Sequence, residues 1–232
     1  MNASPQAQVL SIPKAGHRPD ENEDAAAHAM RSWPVHAAVA DGATESAFSR
    51  QWAQILVERA VASHTVVPTA SALQVWREAW REAIAPQVAA QPWYVAAKTE
   101  QGAHATYLHL QCTANGAWHA ACVGDCMLFH VRNGAVKAAW PDIEAEAFDH
   151  HPDLISTHPD AVPNAQTMRG TWMPDDRFVL ATDAAAVWLM RTRIDAALHW
   201  TPDAFREAAE TARSANMLRN DDTTVLRLSL SA

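Results

Sequence analysis

Apolar residues recur along this chain with two different periods, and the period changes near residue 104. Val35, Ala37 and Val39 alternate with their neighbours and predict a strand that stops at Asp41-Gly42. A helix is predicted from Thr44 or Ser46, because Phe48, Trp52, Ile55 and Leu56 recur at helical spacing. A second helix is predicted from Ser71, where Gln74 completes a capping box. Its apolar stripe is Leu73, Trp76, Trp80 and Ile84, and Pro86 is expected to end it.

Beyond that point the period is two. Thr106, Leu108 and Leu110 share one face, and Ala105, Tyr107 and His109 share the other. Residues 118–123, 127–132 and 135–140 read as further strands, the last two joined by Asn133-Gly134. Such a pair marks a hairpin, because both positions must tolerate positive φ. Residues 141–175 are rich in Pro, His and Asp and read as a long irregular crossing, with His150-His151 an exposed pair within it. A strand over 178–182, a helix over 202–218 and a strand over 224–230 complete the chain. Residues 1–10 are expected to form a flexible tail, and 11–232 a single domain. The strands cluster in hairpins and do not alternate singly with helices. The pattern therefore favours an α+β fold, an antiparallel sandwich flanked by helices, over a parallel doubly wound sheet.

Composition supports a packed core: 49% of the 232 residues are hydrophobic and ten are tryptophan. The formal charge of -8 disfavours a nucleic-acid partner. The longest strongly apolar window, 178–190, is too short to span a bilayer and holds Asp183, so no membrane partner is expected. Three cysteines, Cys112, Cys122 and Cys126, are too few and too odd for a disulfide framework. With no signal pattern at the N-terminus, they point to a reducing cytoplasm.

No phosphate-binding glycine loop, GxGxxG, GxSxG or HExxH motif is present. What recurs is an acid at a strand end: Glu23-Asp24, Asp41, Asp125, Asp183 and Asp221-Asp222. Taken singly, each is explained as an ordinary turn residue. Taken together, they converge at one rim if their strands are neighbours. Convergent carboxylates would force one another to take up protons unless a cation intervened. Mg²⁺ and Mn²⁺ prefer such oxygen ligands, and two ions about 4 Å apart can activate a water and clamp a phosphoryl oxygen.

Asn22-Glu23-Asp24-Ala25, Val39-Ala40-Asp41-Gly42-Ala43-Thr44, Val123-Gly124-Asp125-Cys126, Leu180-Ala181-Thr182-Asp183 and Asp221-Asp222-Thr223-Thr224-Val225 occur in that order. In order and position they resemble the metal-dependent Ser/Thr protein phosphatases of type 2C, the shorter bacterial members in particular, from about Ser11 to Leu230. The resemblance implies a four-layer α-β-β-α sandwich of two antiparallel sheets with two Mn²⁺ or Mg²⁺ ions at one edge. By the resemblance, Asp41 bridges both ions and Gly42 offers its carbonyl to one. Glu23 binds an ion or its water, and Asp183 and Asp221 hold the other ion, with Asp222 a rival for the role of Asp221. Asp125 matches a position linked to a weaker third ion, and Asp24 joins the set as the second member of the Glu-Asp pair. The implied activity is hydrolysis of phosphoserine and phosphothreonine monoesters by direct attack of a metal-bridging water. The implied substrate is a phosphorylated protein made by a Ser/Thr kinase, and the implied enzyme a monomer.

Three positions depart from the family pattern. The arginine that grips phosphate in the family stands four residues before Glu23, where this chain has Pro19; Arg18 is the nearest replacement and Lys14 another. The residue after Asp183 is Ala184 and not glycine, so a different local turn is expected. Ala43 stands where many eukaryotic relatives carry a histidine, which leaves the proton source for the leaving group unassigned.

Other readings are weaker. Cys126 and Arg132 have the spacing of a cysteine-dependent phosphatase, but Met127, Leu128, Phe129 and Val131 between them read as strand. Twelve scattered histidines give no zinc pattern. Phosphate monoester hydrolysis demands accelerations up to ~10²¹. A lone general acid supplies only about 10²–10⁴, so cations are the more economical source. The principal alternative is a non-catalytic relative that binds phosphoprotein as a regulatory module.

Overall fold

The computed structural model describes residues 4–90, 99, 101–145, 148, 152–159, 163–192 and 194–230. Its strands are β1 (Gln6–Ile12), β2 (Asp24–Ala29), β3 (Val35–Asp41), β4 (His104–Ala105), β5 (Tyr107–Cys112) and β6 (Ala117–Val123). After these come β7 (Met127–Arg132), β8 (Ala135–Trp140), β9 (Ile155–Ser156), β10 (Gln166–Thr171), β11 (Arg177–Ala181) and β12 (Thr223–Ser229). The helices are α1 (Ser49–Ser63), α2 (Ala70–Ala89), α3 (Asp183–Arg191), α4 (Ile194–Ala197) and α5 (Pro202–Ser214).

Two five-stranded sheets form the centre, ordered β1-β12-β11-β7-β8 and β10-β6-β5-β3-β2. All their described pairings are antiparallel. Leu108, Leu110, Leu128, Phe178, Leu180 and Leu226 interdigitate between the sheets. The outer face of the second sheet packs on α1 and α2 through Trp52, Leu56, Trp76 and Trp80. The outer face of the first sheet packs on α3, α4 and α5 through Ala185, Trp188, Ile194 and Phe205. The result is the four-layer α-β-β-α sandwich. Alternation within each strand builds it, because successive side chains feed opposite cores. Among the described residues, no helix is long and apolar enough to cross a membrane.

Several local expectations need correction. Residues 6–10 are not tail: β1 pairs with β12 from Gln6↔Ser229 to Ile12↔Thr223. Leu10 and Ile12 enter the core, while Gln6 and Gln8 suit an edge strand with one side open. Helix α1 starts later than Thr44 or Ser46, because Phe48 adopts a left-handed φ of 59° at its N-cap. Thr69, and not Ser71, caps α2, its side chain accepting from the Ala72 N–H at 3.2 Å. Pro86 does not stop α2, which runs to Ala89. Pro86 and Glu82, whose carbonyl loses its partner, are both exposed, so water can satisfy that carbonyl.

The expected crossing over 141–175 contains β9 and β10. Gln-Thr-Met-Arg-Gly-Thr makes β10 a polar edge strand, which masks its alternation. The His150-His151 pair lies outside the described residues. The hairpin between β7 and β8 follows the sequence, with φ of 52° at Asn133 and 72° at Gly134.

Candidate metal centre

Both sheets send strand ends to one rim. Asp41 closes β3 and faces Asp24 directly across the β2–β3 ladder. Asp183 opens α3 two residues after the end of β11, and Asp221 stands two residues before the start of β12. Asp125 lies in the tight connection between β6 and β7. Asp41, Asp125 and Asp183 line one cavity of about 390 Å³, together with Thr106, Phe148 and Arg219.

The carboxylates sense one another. Burial raises the Asp41 pKa well above the usual range, and the charges of Asp24, Asp183, Asp125 and Asp221 add to that. Asp24 is raised by burial, with Asp183 and Asp222 adding to it against hydrogen bonds from Thr224 and Thr182. Burial and then Asp183 push Asp125 up to about 7. Asp183 is raised by burial, with Arg219 opposing.

Neutral partners hold the frame. The Asp41 N–H donates to Thr106 Oγ1 at 3.0 Å, and the Thr106 N–H donates to the Asp41 carbonyl at 2.9 Å. Thr182 Oγ1 donates to Asp24 Oδ2 at 2.9 Å and accepts from the Thr224 N–H at 3.1 Å, which ties the two sheets together beneath the acids. Gly124 precedes Asp125 with a φ of +94°, and a Cβ there would stand 2.7 Å from Thr106 Cγ2.

Asp221 and Asp222 have different tasks. Asp222 is buried, and its two oxygens accept from the backbone N–H groups of Lys14 at 2.8 Å and Glu23 at 2.7 Å. Asp221 has a partly exposed carboxylate, 3.0 Å from Arg219 Nη2. Asp221 therefore stands beside the cavity-lining Arg219 with its carboxylate partly open, and Asp222 is scaffold.

Glu23 is brought to the rim by its backbone, whose carbonyl accepts from the Gly42 N–H at 3.2 Å. Its carboxylate accepts from Ser49 Oγ at 2.5 Å, with Lys14 Nζ 3.9 Å away. Gly42 is pressed against the start of α1: a Cβ would lie 2.8 Å from the Ser49 carbonyl carbon. Arg18 is not brought in. Its guanidinium donates twice to Asp20, at 3.0 and 3.1 Å, and its side chain is 72% exposed.

Ala184 lies in the first helical turn of α3, so the position needs no glycine. Across from Ala43, the His104 carbonyl accepts the Ala43 N–H at 2.9 Å, and the His104 ring lies 3.5 Å from Ser46 Oγ. Cys126 is fully buried and its thiol pKa is raised well above normal by burial, as suits a core cysteine.

Among the described residues, no three His, Cys, Asp or Glu side chains already surround one point as a finished metal cage. The donor set still fits hard divalent cations: carboxylates and a backbone carbonyl, with no sulfur or imidazole. Asp24 Oδ1 is sealed from solvent with no hydrogen-bond partner, an orphaned buried oxygen that a cation would satisfy. The sequence reading overlooked Arg219, a basic residue two positions before the Asp221-Asp222 pair.

Two antiparallel sheets between helix layers, with acids gathered at one rim, fit the metal-dependent phosphatase class. Residues 15–226 match the family model for protein phosphatase 2C, and the chain belongs to that family. No curated protein matches it significantly. Among solved structures it is similar to the Mycobacterium tuberculosis serine/threonine phosphatase PstP/Ppp. The TM-score is 0.65 at 18% identity, over 99% of this chain and 100% of that one. It is also similar to the catalytic domain of PstP in complex with two manganese ions, with a TM-score of 0.63 at 16% identity over 99% of both chains. RsbX in complex with magnesium matches with a TM-score of 0.60 at 14% identity, over 100% of this chain and 98% of that one.

Proposed function

We propose that this chain hydrolyses phosphoserine and phosphothreonine monoesters of a protein substrate at the Asp41 rim. Two Mn²⁺ or Mg²⁺ ions would be held by Asp41, Asp183, Asp221, Glu23 and the Gly42 carbonyl, with Asp24 beside them and a weaker third ion at Asp125. The observation that carries this reading is the gathering of acids from separate strand ends onto one rim, where Asp41 faces Asp24 across the β2–β3 ladder and lines one cavity with Asp125 and Asp183. Bound there, the ions would neutralise the carboxylates, activate a water and draw charge from the phosphoryl oxygens.

The chain's own residues prepare that chemistry. Asp41 is fixed by Thr106, and Asp222 pins the backbones of Lys14 and Glu23. Thr182 orients Asp24. Phe148, Pro152 and Leu154 line the cavity with the acids, and such apolar walls limit water and strengthen every charge interaction inside.

A phosphorylated hydroxyl amino acid is the product of a kinase reaction, so we place the chain opposite a Ser/Thr kinase. We take it to work as a monomer in a reducing cytoplasm, which suits three buried free cysteines. The test is hydrolysis of a phosphothreonine peptide with Mn²⁺, Mg²⁺ or chelator. Turnover with either ion and none with chelator is expected. A Mn²⁺-loaded protein that turns over neither this peptide nor an aryl phosphate would overturn the reading.

A further inference from the structure

Arg219 is the only basic side chain among the described residues lining the acid cavity. Its Nη2 donates to Asp183 Oδ2 and stands 3.0 Å from Asp221 Oδ2, so a single nitrogen bridges two acids of the proposed metal set. The side chain is 45% exposed.

The other basic residues nearby are committed elsewhere. Arg18 is paired with Asp20. Lys14 leans on Glu23 and lines a separate groove of about 820 Å³. Arg213 donates to the carbonyls of Pro13 at 3.0 Å and Asp221 at 2.7 Å, and so braces the loop from behind.

A phosphate monoester entering this cavity meets Asp41, Asp125 and Asp183. Divalent cations that take Asp183 and Asp221 would compete with Arg219 for the same oxygens. The guanidinium then loses its anions while remaining at the cavity wall. A phosphate dianion is the natural replacement, because the planar fork of N–H donors matches phosphate oxygens in pairs.

We propose that Arg219 is the residue that grips the substrate phosphate. The proposal rests on the phosphatase reading above. It assigns to the segment before β12 the grip that the sequence sought at Arg18.

The test uses the full chain, with Arg219→Ala and Arg219→Lys, each checked for folding by circular dichroism. Calorimetry measures Mn²⁺ binding, then inorganic phosphate binding to the Mn²⁺-loaded protein; KM and kcat follow on an aryl phosphate. Arg219→Ala should bind Mn²⁺ at least as tightly as wild type. Its phosphate Kd and KM should rise about ten- to hundredfold, the loss of a charge-assisted hydrogen bond. Arg219→Lys should recover part of that loss. Wild-type phosphate Kd and KM in both variants, or weakened Mn²⁺ binding with phosphate affinity intact, would overturn the proposal. Should Arg219→Ala not fold, the Lys variant and Arg219→Gln carry the same comparison. Phosphate binding that depends on Arg219 in a wild-type protein without turnover would sink the phosphatase reading and leave the grip standing. Turnover with a wild-type KM in Arg219→Ala would do the reverse.

Discussion

Asp24 and Asp41 stand directly opposite each other at the end of the β2–β3 ladder, two carboxylates on facing positions of paired strands. Like charges in that relation destabilise a sheet. Burial raises both pKa values, and each charge burdens the surrounding cluster further. Asp24→Asn should therefore raise the thermal midpoint of the metal-free protein. The same change should weaken Mn²⁺ binding by about 10–100-fold, the usual effect of losing a group that supports a metal ligand. Thermal denaturation with and without Mn²⁺ reads both effects, and an unchanged midpoint with unchanged Mn²⁺ affinity would count against the strained pair.

Asp221 and Asp222 should separate cleanly by mutation. Asp222→Ala leaves the amides of Lys14 and Glu23 without their acceptor and should cost about 1–3 kcal/mol of stability for each group left unsatisfied. Asp221→Asn should leave the urea midpoint nearly unchanged and weaken Mn²⁺ binding. Urea unfolding and Mn²⁺ calorimetry on both variants check the assignment.

Gly42 carries a steric prediction. Gly42→Ala drives a Cβ to 2.8 Å from Ser49 C and 3.0 Å from the Glu23 carbonyl oxygen. The start of α1 must shift, at about 1–3 kcal/mol by analogy with overpacked cores. A larger aryl phosphate KM and a lower urea midpoint should appear together.

Stability should also fall in acid for a reason remote from the acid rim. His36 Nδ1 and His109 Nε2 lie 3.0 Å apart beneath α1, and Tyr107 OH lies 3.0 Å from His109 Nδ1. Burial, then the neighbouring His64, pushes His36 down to about 4. Burial, then His36, pushes His109 down to about 3. Unfolded, both titrate near 6.5, so below that pH the unfolded chain binds more protons. Their contribution is complete above about 6.5 and is lost as pH falls toward about 4 and then about 3. Asp24 and Asp41 act in the opposite sense, since their raised values favour protons in the folded state. Comparing His109→Gln with wild type isolates the histidine part: the variant should show a shallower loss of urea midpoint between pH 7 and 4.5.

The layers, the two buried helix faces and most strands were legible because alternation and helical spacing are local properties of buried residues. Leu108 and Leu110 in β5, or Trp76 and Trp80 in α2, announce themselves by their apolar neighbours. Edge strands do not. β1 and β10 carry glutamines, threonines and an arginine because one flank is open to water, and their pairing is fixed by β12 and β6 far away in sequence. Asp41, Asp125, Asp183 and Asp221 were visible as acids at strand ends. That Asp222 clamps two backbones, and that Arg219 and not Arg18 enters the cavity, depends on three-dimensional closure that no spacing encodes.

The most direct measurement is turnover of a phosphothreonine peptide at saturating Mn²⁺ by wild type and by Asp41→Asn, with the bound Mn²⁺ counted by calorimetry. Wild type should bind at least two ions and turn over only with metal. Asp41→Asn, which removes the carboxylate proposed to serve both ions, should lose about 10³-fold or more in turnover along with tight Mn²⁺ binding. Wild-type turnover in Asp41→Asn, or turnover that persists in chelator, would contradict the account.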